Sequence, residues 1–214
     1  MDETTAREKV LKSVRNALMS KLDNPYQDVD FDSPVFEQVN DAPEIVFAQE
    51  FIKVGGKFVY CGNDKEFSET LESLMNENKW PALHCTETAV QSILERHGIL
   101  FTTDEDSFME SRVGITRCEY LVARLGSVMV SSAHASGRRM NVFPEFHLVY
   151  ARASQLVPDL KDALLGMKKR YGQDLPSMIN LITGPSRTAD IEKTLVMGAH
   201  GPKELYVFLV DDQV

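Results

Sequence analysis

Cysteine is scarce in this chain and never paired: Cys61, Cys85 and Cys118 stand alone, and no C-x-x-C occurs. That excludes the signatures of a zinc ribbon and of a ferredoxin-type cluster, and isolated thiols are read as reduced, buried or half-buried side chains. No apolar run approaches the ~20 residues that a membrane-spanning helix needs; Tyr206 to Val210 is among the longest. The N-terminal segment carries Asp2, Glu3, Arg7, Glu8, Lys9, Lys12 and Arg15, too much charge for the apolar region of a secretion signal. A cytoplasmic address without a membrane span is therefore expected. Neither G-x-G-x-x-G nor a Walker loop is present, Gly55-Gly56 matching neither, and G-x-S-x-G is missing too. Those gaps exclude nucleotide binding of these types and the common hydrolase arrangement. His84, His97, His134 and His147 show no H-x-x-x-H spacing, so no bound metal is expected.

What is present describes a folded protein. The chain has 214 residues, 43% apolar and 26% charged, enough for one ordinary α/β domain with a core that needs no staple. Its net charge of −9 is unevenly placed. Between Lys21 and Lys53 lie Asp23, Asp28, Asp30, Asp32, Glu37, Asp41, Glu44 and Glu50 with no Lys or Arg, and they account for all but one unit of that charge. Acidity confined to one segment argues against a nucleic-acid partner and reads as a solvated connecting arm. From Arg112 to Arg152 the bias reverses: Arg112, Arg117, Arg124, Arg138, Arg139 and Arg152 face only Glu119 and Glu145, and lysine is absent. Arginine without lysine suits bidentate binding of carboxylate or phosphate, although surface ion pairs use it equally.

The hydrophobic period gives the organisation. Residues 5 to 22 alternate as an amphipathic helix through Val10, Leu11, Val14, Ala17, Leu18 and Leu22, ending at Asn24-Pro25. With the acidic, proline-bearing stretch they form an N-terminal helix and arm over 1–43, leaving 44–214 as a single α/β domain. Helix is expected over Glu44 to Val54, from an Asn63 or Asp64 cap to about Glu77, over Thr88 to Arg96 and over Val157 to Tyr171. Strands are expected at Phe58 to Cys61, Leu83 to Cys85, Ile99 to Thr102, Phe146 to Ala151, Met178 to Thr183 and Leu205 to Val210, the last two central. Tyr120 to Ala123, Gly126, and Val128 to Ser131 read as an antiparallel hairpin added to a mostly parallel, Rossmann-like sheet with helices on both faces.

The strongest local signal is G-P-S-R-T-A-D-I-E, Gly184 to Glu192. Following an apolar strand, it is expected at the carboxyl edge of a parallel sheet, where open α/β folds place ligands. Gly184, Ser186, Arg187 and Thr188 suit an anionic group, and Asp190 and Glu192 could order the loop or transfer protons. Downstream, Ala199-His200-Gly201-Pro202 places a histidine in a glycine-bounded loop, a second proton-transfer candidate. Ser136-Gly137-Arg138-Arg139 could close over an anion. Each of these also has a purely structural reading, as a loop whose polar groups satisfy one another.

G-P-S-R-T-A-D-I-E followed by L-V-M-G-A-H-G-P-K-E-L resembles the C-terminal signature of the LUD-domain family, in particular its lactate utilization C members. G-I-T at Gly114 to Thr116, A-x-x-G-S at Ala123 to Ser127 and S-G-R at Ser136 to Arg138 add to the resemblance, which covers roughly residues 44 to 212. It implies a fold similar to sugar-phosphate isomerases and CoA transferases, and a part in oxidising L-lactate to pyruvate beside iron–sulfur partner proteins. The clusters would then reside in those partners, with no cofactor on this chain. Were the chain itself an enzyme, the candidate catalytic residues in these loops are Asp190, Glu192 and His200. Binding of a small carboxylate or phosphate falls on Thr116, Arg138, Gly184, Ser186, Arg187, Thr188 and Gly201. Arg124 stands where family members carry a glutamate, which weakens a transferase reading. The alternative is a stand-alone enzyme on a sugar phosphate or CoA thioester.

Overall fold

The computed structural model describes residues 5–19, 26, 28–30, 41–191 and 194–212, in two compact units, Met1–Gln38 and Val39–Val214. In the first, α1 (Ala6–Met19) opens with a reciprocal cap: the Thr5 N–H donates to Glu8 and the Glu8 N–H to the Thr5 hydroxyl. The apolar stripe of Val10, Leu11, Val14 and Leu18 that predicts this helix is exposed along its length. Asn24-Pro25 and most of the acidic arm lie outside the described residues.

The second unit begins with α2 (Pro43–Lys53), β1 (Lys57–Cys61), α3 (Asp64–Asn78), β2 (Leu83–His84), α4 (Thr88–Arg96), β3 (Phe101–Thr102), α5 (Glu105–Glu110) and β4 (Val113–Arg117). It continues with β5 (Tyr120–Val122), a 3-10 turn (Ala123–Leu125), β6 (Ser127–Ser131), β7 (Phe146–Arg152), β8 (Leu156–Val157) and α6 (Leu160–Tyr171). It ends with β9 (Ile179–Ile182), β10 (Arg187–Ile191), β11 (Thr194–Met197) and β12 (Glu204–Val210). Asn63 caps α3 by accepting from the N–H groups of Lys65 and Glu66, as its position predicts.

The main sheet has six strands, β1-β12-β7-β4-β2-β3, and every pairing in it is parallel. β12 and β7 run through its middle, buried on both sides, which is why they read as unbroken apolar runs. On one face Leu148, Tyr150, Tyr206 and Phe208 pack with Phe67 and Leu71 of α3 and Val90 and Leu94 of α4. On the other, Val149, Ala151, Val207 and Leu209 pack with Phe47 and Phe51 of α2 and with Leu121, Val128 and Val130. Those last three belong to the expected hairpin, β5–β6, which sits in a second sheet, β8-β5-β6-β9. α6 covers its far side through Ala163 and Met167 against Val122 and Met129.

Two expectations change. The Met178 to Thr183 run is not a central strand of the parallel sheet. It is β9, the outer strand of the second sheet, antiparallel to β6, with Leu181 exposed. A short apolar run interrupted by Asn180 fits an edge as well as a core, and periodicity cannot separate the two. Phe58 to Cys61, which as a short apolar run reads as a buried strand, is an edge strand whose Tyr60 is exposed.

Gly126 ends the 3-10 turn with φ 54, in the left-handed region, and a Cβ there would come 2.3 Å from the Phe51 nitrogen. The glycine therefore serves the approach of α2 as much as the hairpin turn. Gly126→Ala is expected to cost about 2 kcal/mol or more, through both strain and the collision with helix backbone. The denaturation midpoint measures it, and a midpoint within error of the parent's would refute this reading of the α2 contact.

Candidate functional site

In a parallel sheet, ligands sit outside the carboxyl ends of the strands. Here β2 and β4 are neighbours, and each runs directly into a buried acid: Cys85-Thr86-Glu87 after β2 and Cys118-Glu119 after β4. Both carboxylates are closed off from solvent, Glu87 at 1% and Glu119 at 0% exposure.

Glu119 is surrounded by donors. Its Oε1 accepts from the Ser131 hydroxyl at 2.5 Å and the Tyr171 hydroxyl at 2.7 Å, and its Oε2 from Arg170 at 2.5 Å. Burial alone would raise this carboxyl. The bonds from Ser131 and Tyr171, with His134 and the Arg170 charge close by, outweigh it and hold the group below its ordinary value. The Tyr171 hydroxyl is raised by burial and by its bond to the same carboxylate.

His134 stands between the two acids. Its Nε2 lies 3.3 Å from Glu119 Oε1, and its Nδ1 lies 3.8 Å from Glu87 Oε1, beyond hydrogen-bond reach. Glu87 Oε2 accepts from Arg117 Nε at 3.2 Å. Glu87 Oε1 and His134 Nδ1 are both buried and, among the described residues, have no hydrogen-bond partner. Sequence reasoning missed Glu87, Glu119, His134, Arg170 and Tyr171 as a group. The available signal was an acid directly after each of two short strands, and it becomes legible only once the strand order makes β2 and β4 neighbours.

The residues expected to form a site are at the opposite end. Because β9 is not in the parallel sheet, Gly184 to Pro202 does not reach a carboxyl edge; it packs at the amino ends of β1 and β12. Gly184 is buried with φ 81, and a Cβ there would lie 2.3 Å from the carbonyl oxygen of Val54, at the end of α2. The Ser186 N–H donates to the Pro202 carbonyl at 2.8 Å, and the Gly198 N–H to the Ser186 carbonyl at 3.0 Å. Arg187, Thr188 and Asp190 lie in β10, which pairs with β11 as a bulged hairpin; Arg187 is exposed. Glu192 lies outside the described residues. Arg138, His200 and Gly201 do come together, with Arg139, around an open depression of about 510 Å³. Arg138 donates to the Ser177 hydroxyl at 2.8 Å, and Arg139 pairs with Glu105.

Thr116 belongs to neither place. It is fully buried in β4, its hydroxyl 2.8 Å from His147 Nε2 in β7. Burial pushes the His147 imidazole down to about 4. Arg124 forms a two-pronged pair with Asp159, at 2.8 Å from Nε and 2.8 Å from Nη2, joining the hairpin to the cap of α6. Among the described residues no group of three or more His, Cys, Asp or Glu stands where it could hold a metal ion, and no helix is long and apolar enough to cross a membrane.

A six-stranded parallel sheet backed on one face by a smaller mixed sheet, with buried acids past its strand ends, defines an α/β protein of the Rossmann-like class. A solved structure of a DUF162 family protein from Deinococcus radiodurans shares this fold, with a TM-score of 0.59 at 16% identity over 78% of this chain and 96% of that one. The LUD domain model matches residues 46–210, and the chain belongs to that family.

Several curated relatives share a name. Lactate utilization protein C of Geobacillus thermodenitrificans is 32% identical over 76% of this chain and 67% of its own. That of Shouchella clausii is 29% identical over 85% and 86%, and the Escherichia coli protein YkgG is 36% identical over 48% and 46%. The chain thus spans about half to two thirds of the length of several of these relatives, 67% of the Geobacillus thermodenitrificans protein and 46% of the Escherichia coli one.

Two pH effects follow. His147 is held below its unfolded value, so the unfolded chain binds the extra proton first, and stability is lost as pH falls from about 6.5 toward 4. The loss is about 3 kcal/mol, and His147→Asn is expected to remove that slope in denaturation measured across the window. Glu119 is also depressed, so its contribution is present above the ordinary carboxylate range and lost as pH falls through its lower folded value. Glu119→Gln is expected to cost about 3 kcal/mol at neutral pH, by leaving Arg170 without its counter-charge, and progressively less in acid. A deficit that does not shrink with falling pH would show that the carboxylate's charge is not what matters.

Proposed function

We propose that this chain is a component of an L-lactate utilization system that converts lactate to pyruvate, holding no iron–sulfur cluster itself and acting in the cytoplasm beside iron–sulfur partner proteins. The observation that carries the reading is LUD family membership together with relatives named lactate utilization protein C. The state of the cysteines supports the division of labour. Cluster ligation uses thiolates. Cys61, Cys85 and Cys118 are all free and buried. Burial pushes Cys61 up to about 11, Cys85 up to about 12, and Cys118 still further.

The depression lined by Arg138, Arg139, His200 and Gly201 supports a contact with an anionic group, a small carboxylate or phosphate or an acidic patch of a partner. His200, which lines the depression, would be its proton-transfer group. Tagged protein purified without oxygen from its own cells is expected to come down as a brown complex with cysteine-rich proteins, identified by absorption spectrum and mass spectrometry. A colourless protein alone would overturn the assembly and favour an independent enzyme on a sugar phosphate or CoA thioester.

A further inference from the structure

Beyond the amino ends of β2 and β4 lies a cavity of about 300 Å³, the size at which small-molecule sites begin. It shares no lining residue with the depression around Arg138 and His200. Pro81 and Ala82, which lead into β2, and Val113, which opens β4, give it apolar walls beside Trp80. The Trp80 ring is packed in place, with the Phe146 ring at 4.8 Å and the Tyr206 ring edge-on at 6.4 Å. The hydroxyls that line the cavity are already engaged. Ser107 donates to Asp104, Ser111 donates to the Val113 carbonyl, and the Thr102 hydroxyl is 3.1 Å from His84 Nδ1. The charged groups of the lining are Lys79, Arg112 and Glu110.

Lys79 departs from what its position favours. It ends α3 with φ 55 and is, among the described residues, the one residue other than glycine in the left-handed region. Glycine usually closes a helix in this way, because a Cβ is strained there. Among the described residues the Lys79 ammonium has no hydrogen bond or ion pair. A lysine at a helix end also meets the negative pole of the helix, which offsets part of the strain. Arg112 bonds Glu145 through Nε at 2.6 Å, and Glu145 is answered by Lys203 as well. The Arg112 guanidinium is therefore not neutralised, and its terminal nitrogens suit a carboxylate.

We propose that this cavity binds a small organic monoanion, an apolar body carrying one carboxylate, with Lys79 and Arg112 as its anchors. Lys79 and Arg112 against Glu110 leave the lining one net positive charge, which a single carboxylate matches. The wall of Trp80, Pro81, Ala82 and Val113 takes the body. Inorganic phosphate offers no such body, and an alkylamine has the wrong sign. The cavity lies at the end of the sheet opposite the acid–histidine cluster, and the proposal does not rest on the lactate assignment.

The full chain titrated with phenylacetate, hexanoate, L-lactate, hexylamine and inorganic phosphate tests it. Calorimetry reads the affinity, and the emission of Trp80, the only tryptophan of the chain, reads the place. At least one of phenylacetate and hexanoate is expected to bind and to shift that emission, the tighter one telling whether the body is flat or extended. Lactate, with one methyl group for a body, hexylamine and phosphate are expected to bind about tenfold more weakly or not at all. Lys79→Gly relieves the turn while it removes the ammonium, so it is expected to fold and to bind the carboxylate about tenfold more weakly. Should it not fold, Lys79→Asn, which also accepts the left-handed region, takes its place. Binding of neither carboxylate, binding that leaves Trp80 emission unmoved, equal binding of lactate, hexylamine or phosphate, or unchanged affinity in the folded Lys79 variant would each overturn the proposal. None of these outcomes bears on whether iron–sulfur partners co-purify.

Discussion

Glu119 is where the layers of the larger unit meet. It leaves the main sheet at the end of β4, its N–H donates to the Met129 carbonyl in β6, and its carboxylate collects Ser131 of β6 and Arg170 and Tyr171 of α6. Apolar packing holds the two sheets together but is non-directional, and it would tolerate a sliding of one sheet over the other. A buried charge does not, because each donor must stay within hydrogen-bond reach or the carboxylate is left uncompensated. Glu119 therefore ties main sheet, second sheet and α6 together at one point, beside the Arg124–Asp159 pair that joins the hairpin to the cap of α6. His134 packs against it, its Nε2 3.3 Å from Glu119 Oε1.

Much of the fold was legible in the sequence. Thr88 to Arg96, the Asn63 cap, the β5–β6 hairpin and the central β12 all follow from period, capping chemistry and burial on two sides. What misled was the Met178 to Thr183 run, because its apolar residues describe an edge strand of the second sheet as well as they would a core strand. That single ambiguity moved the whole Gly184 to Pro202 segment from the carboxyl to the amino edge. The acid–histidine cluster was hidden for a different reason. Glu87, Glu119 and His134 are far apart in sequence, and only the crossing from β2 to its neighbour β4 brings them together.

The two ends of the sheet are chemically unlike. The amino end is open and basic, with Arg138, Arg139 and His200 around a shallow depression, and its signature residues mostly bond to one another's backbone. The carboxyl end buries the carboxylates of Glu87 and Glu119 and, among the described residues, leaves Thr86 Oγ1, Glu87 Oε1 and His134 Nδ1 without a hydrogen-bond partner.

The connection from β6 to β7 spans both ends. It places His134 against the buried acids, lays Met140 and Pro144 onto the bare backbone of Gly114, where a Cβ would come within 2.8 Å and 2.7 Å of them, and delivers Arg139 and Phe143 to the depression. One connection thus seats a histidine at one margin and an arginine and a phenylalanine at the other, with Gly114 as the bare patch of sheet it is laid across.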